Sequence, residues 1–269
     1  MKRIWEHWED LAPRVQAATA VSLFLDFDGT LTPLIDDPDQ VQLALPLKEA
    51  IDALVQHPDI VVGIISGREL SDLQRRVGIR GAYYSGNHGL EISGPNRAFV
   101  QPNATEHVQS LKELTAVLAD KLQGIPGVFV ENKGYTAAVH FRKVPEAQWD
   151  DVRRILHAAL ANAHHPFQLS TGNKVYDIRP RIHWTKADAV KWIREQTVPQ
   201  SLPIYVGDDT TDEDAFAAMT EGVTIKIGAC EQTNAQYLIE CQDKVLEFLH
   251  WLGRQRGSAA TPVVAERVG

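Results

Sequence analysis

Short apolar runs recur along the chain and alternate with segments of helical period. VSLFLDF, IVVGIISG and LPIYVGD each read as a strand buried on both faces, because their apolar positions are nearly continuous rather than alternating. LPLKEAIDALVQ, SDLQRRVG, TKADAVKWIREQ and DEDAFAAM intervene or follow with helix-like spacing. The opening segment, with Ile4, Trp5, Trp8 and Leu11 in phase, predicts a helix, and KVLEFLHWLGRQ predicts the last one. AYYSGNHG reads as a strand running into a loop, and GVTIKIG as a further strand. This grammar predicts an α/β fold: a Rossmann-like parallel sheet core with helices on both faces and right-handed crossovers.

Between Gly94 and Pro180 the pattern changes. GPNRAFVQPN is polar with Gly and Pro and reads as a hinge. After it come a helix (EHVQSLKELTAVLADKLQ), a strand pair turning at Asn132–Tyr135, a helix (EAQWDDVRRILHAALANA) and a strand pair turning at Thr171–Lys174. Alternating strands of this kind bury one face of an antiparallel sheet, which predicts a small inserted α+β domain. The expected division is 1–99 and 181–269 for the core and 100–180 for the insertion, with the tail GSAATPVVAERVG frayed.

Composition removes several function classes. A length of 269 residues, 44% hydrophobic and 23% charged, is that of an ordinary globular protein, and the net charge of −8 argues against non-specific nucleic-acid binding. Cys230 and Cys241 make neither a disulfide framework nor a zinc site and read as reduced thiols. No stretch approaches the roughly 18 apolar residues of a membrane span. MKRIWEHWEDLAPRVQ lacks the apolar run of a signal peptide. A cytoplasmic monomer with no nucleic-acid or membrane partner is expected.

The chemistry gathers at strand ends. Asp26 and Asp28 close the VSLFLDF strand, and ligand sites of open parallel sheets lie at the carboxyl ends of strands. Strand alternation predicts that the two carboxylates face one pocket, where they repel unless a cation intervenes; a hard divalent ion such as Mg²⁺ suits oxygen ligands. A capped turn with two solvated acids is the competing reading. The second cluster, Asp208, Asp209 and Asp212, follows LPIYVG, and assembling three acids there is costly without a metal. Asp208 is expected to complete the site with Asp26, while Asp212 can also serve as a helix N-cap. Ser66 and Gly67, after IVVGII, can take phosphate oxygens, and Lys186 opens a helix where an ammonium can offset phosphate charge.

DFDGT, ISGR, a lysine and GDDTTDEDAF, in that order, resemble the four motifs of the haloacid dehalogenase superfamily, with a C2-type cap between the second and third. LDFDGTLTPL, GNHGLEI, ENKGYTAAVHFR, GNKVYDIRP and GDDTTDEDAF are together similar to the trehalose-6-phosphate phosphatases, a resemblance running from about Ser22 to Gly228. It implies a Mg²⁺-dependent phosphatase acting on a small sugar phosphate, with Asp26 as nucleophile and Asp28 as general acid–base that also binds metal through its carbonyl. Ser66 and Lys186 are then the phosphate-orienting pair, Asp208 a metal ligand supported by Asp212, and Glu131, Lys133 and Asp177 readers of sugar hydroxyls. Gly67, Arg68, Asn87 and His88 are further candidates for substrate contact, as is His140. Asp177 stands where the family usually has Glu, and Ala187 where Gly often follows the motif lysine. Without the resemblance, Glu131 and Lys133 read as an ordinary solvated loop beside a turn. The remaining alternatives are phosphatases or mutases of other sugar phosphates and a catalytically silent sensor.

Overall fold

The computed structural model describes residues 2–35, 40–163, 166–172, 174–230 and 232–257. The tail after Gly257 and Asn173 of the second predicted turn lie outside the described residues.

In chain order the first part contains β1 (Lys2–Arg3), α1 (Trp8–Ala17), β2 (Val21–Asp26), α2 (Leu45–Val55), β3 (Ile60–Ile65) and α3 (Leu70–Val77). Then come β4 (Tyr83–Gly86), β5 (Glu91–Ser93), β6 (Ala98–Val100), a one-turn α4 (Pro102–Thr105) and α5 (Val108–Leu122). The middle adds β7 (Phe129–Asn132), β8 (Ala137–His140), α6 (Trp149–Ala161), β9 (Phe167–Gly172) and β10 (Val175–Pro180). The last part holds α7 (Lys186–Gln196), β11 (Leu202–Gly207), α8 (Glu213–Ala218), β12 (Val223–Ile227), β13 (Tyr237–Ile239) and α9 (Val245–Gln255).

Nine strands form one sheet in the order β1-β13-β12-β11-β2-β3-β4-β5-β6. The pairs from β1 to β4 are parallel, and β4–β5 and β5–β6 are antiparallel. All six residues of β2 are buried, as a central strand covered on both faces requires. Clusters around Leu23, Ile51, Val206 and Phe248 and around Phe24, Ile193, Tyr205 and Phe216 make two separate apolar layers about this sheet. The fold is the expected α/β sandwich, with three departures. The sheet is mixed at one edge rather than wholly parallel. The polar stretch read as a hinge contributes β6, paired with β5. The opening segment starts as a two-residue edge strand on β13 before its helix begins.

A second sheet, β7-β8-β10-β9, is antiparallel throughout. Its Val139, Tyr176, Ile178 and Phe167 pack with Leu111, Leu118, Val152 and Leu156 of α5 and α6 in a core of their own. β10 buries alternate residues, as a strand of an antiparallel sheet covered on one face does. Among the described residues no helix is long and apolar enough to cross a membrane.

Candidate active site

β3, β2 and β11 are neighbours and end level with one another: Asp26 pairs in register with Ile65, and Leu25 with Val206. Ser66 and Asp208 each follow a strand end, so three loops bring Ser66, Asp26 and Asp208 to one edge. Lys186 reaches this edge from the first turn of α7, which is fixed by a capping box between Thr185 and Asp188. Its Nζ donates to Asp26 Oδ1 and Asp212 Oδ1, both at 2.7 Å.

Oxygens of Asp26, Asp208 and Asp212 lie within 4.8 Å of one another. Asp212 and Asp208 have further support. Tyr205 donates its hydroxyl to Asp212 Oδ1 at 2.7 Å, and the Asp209 backbone N–H donates to Asp212 Oδ2 at 2.9 Å. Thr30 donates to Asp208 Oδ1 at 3.1 Å, and buried Lys226 donates from β12 to the Asp208 carbonyl. Two glycines make room. Gly29 (φ +89°) passes so close that a Cβ there would sit 2.1 Å from Asp208 Oδ2, and one on Gly207 would sit 2.4 Å from Asp212 Cγ.

The electrostatics are those of an acid excess. Burial, and then the neighbouring Asp212 and Asp208, push Asp26 well above the usual carboxylate range against the pull of Lys186. Burial and Asp212 push Asp208 up to about 6. Burial opposes the charge on Lys186, but Asp212 and Asp26 outweigh it and hold the ammonium charged. Three carboxylates around one ammonium leave negative charge to be met, and an all-oxygen donor set of this kind fits a hard divalent cation.

Asp28 lies just beyond the strand. β2 ends at Asp26, and Asp28 makes only an isolated bridge to Thr32. Alternation therefore does not extend to it, and its carboxylate is gripped by Arg68 through Nε at 2.8 Å and Nη2 at 2.7 Å. Its side chain is thus engaged in a bidentate pair beside Ser66. Arg68 is steadied from behind by Asp72 at 3.0 Å, and its backbone N–H donates to Ser66 Oγ at 3.1 Å, which leaves the Ser66 proton available to a ligand. Asp72, which burial would raise, is lowered to about 2 by Arg76, Arg68 and Arg75. The N-cap expectation for Asp212 is also redirected: Asp209 supplies the capping side chain, and Asp212 answers it through the Asp209 N–H while facing Lys186.

The smaller sheet leans on this edge through polar contacts. Lys133 Nζ donates to the Gly67 carbonyl at 3.1 Å and to Asp177 Oδ1 at 3.3 Å. Asn87 donates to the Lys133 carbonyl at 3.0 Å and to Glu91 at 2.6 Å, and accepts from Thr136. The His88 ring lies against Gly67, where a Cβ would meet it at 2.6 Å, and its Nε2 is 4.0 Å from Asp177 Oδ1. Burial would raise Asp177, but Lys133 and His88 hold it far below the ordinary range. Glu131 accepts from His140 Nε2 at 2.8 Å, and burial of its carboxyl is outweighed by His140 and Lys133. The structure thus gathers Asp26, Ser66, Lys186, Asp208 and Asp212 at the sheet edge. It ties Gly67, Arg68, Asn87, His88, Lys133 and Asp177 into an adjoining network.

Thr30, Tyr205, Lys226, Thr136 and Asp72 were not singled out by the sequence reading. Thr30 lies inside the DFDGT run itself, and Lys226 is a cation within an otherwise apolar strand, so both carried a signal. Tyr205 and Thr136 carried none, being ordinary strand and turn residues by type.

An uncharacterised glycosyl hydrolase of Mycobacterium tuberculosis is 39% identical over 248 residues, covering 86% of this chain, which spans only 18% of that protein. A probable trehalose-phosphate phosphatase E of Arabidopsis thaliana is 34% identical over 249 residues, 86% of this chain and 70% of its own length. The C-terminal domain of a C. albicans trehalose-6-phosphate phosphatase superposes with a TM-score of 0.79 at 20% identity, over 93% of this chain and 96% of that one, a likeness of fold. The family described as trehalose-phosphatase matches residues 24–243, across both sheets and every strand-end motif, and the chain belongs to that family.

Proposed function

We propose that the chain hydrolyses trehalose 6-phosphate to trehalose and inorganic phosphate, with residues 100–180 acting as a cap over a core formed by 1–99 and 181–269. The supporting observation is the meeting of Asp26, Asp208, Asp212 and Lys186 at one strand edge in a member of the trehalose-phosphatase family.

Asp26 attacks phosphorus in line, and a covalent aspartyl phosphate on Asp26 divides the hydrolysis into two displacements. Lys186 and the Ser66 hydroxyl hold the phosphoryl oxygens and offset their charge. Asp28 protonates the departing sugar oxygen and then takes a proton from the attacking water. To do so it must leave the guanidinium of Arg68, so release of that pair belongs to the first step. A Mg²⁺ ion held by Asp26, Asp208, Asp212 and the Asp28 carbonyl would supply Lewis-acid charge beside the phosphoryl group. Glu131, Lys133 and Asp177 read sugar hydroxyls, and closure of the cap excludes water.

Phosphate release from a panel of sugar phosphates with Mg²⁺ tests this. Turnover of trehalose 6-phosphate well above sucrose 6-phosphate and glucose 6-phosphate is expected. Preference for another ester would overturn the substrate, and no turnover of any would favour a sensor.

A further inference from the structure

Phe129 is 60% exposed, which is unusual for an aromatic side chain on a sheet whose other face builds a core. It begins β7, and the cross-strand register places it. Phe129 pairs with His140, which pairs on its other side with Val175; the next row is Glu131, Ala138 and Asp177. Residues two apart on a strand share a face, so Phe129 stands on the side of the sheet that carries Glu131 and Asp177, away from α5 and α6.

The Glu131 row is the one that meets the core. Asp177 in that row is tied through Lys133 to the Gly67 carbonyl, and the charge of Arg68 is felt at Glu131. The Phe129 row lies one two-residue step further along, about 7 Å from it. That step is close to the width of a pyranose ring. His140 holds the aromatic in place: its imidazole stacks on the Phe129 ring at 5.8 Å with 27° between planes, and its Nε2 is the hydrogen-bond partner of Glu131. The covered side of the phenyl faces His140, and the remainder is open.

From this geometry we infer that Phe129 is a specificity-determining contact: a stacking platform for the second, unphosphorylated sugar ring of a disaccharide phosphate. The inference rests on the substrate proposed above. A pyranose ring presents axial C–H bonds on its flat faces and hydroxyls at its rim. The electron-rich face of a phenyl ring takes the former, while the carboxylates of Glu131 and Asp177 in the next row take the latter. A monosaccharide phosphate anchored at Asp26 and Lys186 ends before the Phe129 row. The platform therefore adds affinity only for a substrate with a second ring.

The test uses the full chain with Mg²⁺ and compares the parent with Phe129→Ala and Phe129→Trp. With trehalose 6-phosphate, Phe129→Ala is expected to lose about tenfold in kcat/KM, with the loss falling on KM, and Phe129→Trp to restore it. The inhibition constant of inorganic phosphate, which reaches only the core, should be the same in all three, separating a lost sugar contact from a disturbed site. An unchanged KM in Phe129→Ala, or a phosphate inhibition constant that moves in step with it, would overturn the inference while leaving the trehalose reading in place. A parent chain that does not hydrolyse trehalose 6-phosphate would overturn both.

Discussion

Gly29→Ala probes the carboxylate cluster without removing any of its charges. The substitution has two separable effects. Gly29 sits at φ +89°, where an L side chain is strained by about 1–3 kcal/mol. Its new methyl would also lie 2.1 Å from Asp208 Oδ2 and 2.4 Å from Asp208 Cγ. Comfortable contact begins near about 3.5 Å, so the carboxylate must retreat by more than about 1 Å, and the Thr30 hydrogen bond that aims it must stretch or break. Gly228→Ala is the control, because Gly228 has φ +78° and open space where its Cβ would be. Both variants should melt lower, by on the order of 5 °C. Only Gly29→Ala should require more metal, its Mg²⁺ activation constant for phosphate release rising at least about tenfold, as misplacement of an ångström in a preorganised site implies. Should Gly29→Ala titrate with Mg²⁺ like the parent, or Gly228→Ala shift equally, Asp208 is not the ligand that this packing suggests.

Three further outcomes follow from the same geometry. Asp26→Asn keeps an oxygen acceptor for Lys186 and so should retain its circular-dichroism spectrum, while phosphate release falls by about three orders of magnitude or more; substantial remaining turnover would show that another group is the nucleophile. Glu131→Ala should weaken trehalose 6-phosphate turnover more than that of a small generic phosphate ester, and equal losses on both would remove its part in sugar recognition. Asp72→Asn removes the negative charge shared by Arg68, Arg75 and Arg76 and one of its two acceptor oxygens, and should cost about 1–2 kcal/mol in urea unfolding at pH 7. Because Asp72 is lowered to about 2 in the folded chain, its contribution is complete above the ordinary carboxylate range and fades as pH falls towards 2; a gap between variant and parent that stays constant down to pH 2 would refute that account.

The parallel part of the fold could be read from sequence because β2, β3 and β11 are buried on both faces and leave continuous apolar runs. β6 could not: it is three residues of mixed exposure in a stretch dominated by Gly, Pro and Asn, and it becomes a strand only because β5 offers it an edge. β1 is two exposed basic residues, with no hydrophobic signature at all. The site shows the same division. Asp26, Ser66 and Asp208 were legible because strand ends are where such sheets place their chemistry, and Lys186 because it opens a helix. The turning of Asp28 towards Arg68 was not, since it depends on a guanidinium forty positions away that local periodicity does not reach. Tyr205 reads by type as a core aromatic, and only its hydroxyl, aimed at Asp212, gives it a polar task.

The middle of the large sheet is a seam between early and late parts of the chain, for β2 pairs on one side with β3 and on the other with β11. During synthesis β2 and β3 emerge soon after one another, but β11 follows only after the whole of the second sheet has been made. Until then the apolar flank of β2 has an unsatisfied row of backbone donors and acceptors, a template for other nascent chains. A product truncated before Leu202 would carry that sticky edge permanently. Such a fragment belongs among the chains that aggregate or are held by chaperones, rather than among quiet half-folded ones.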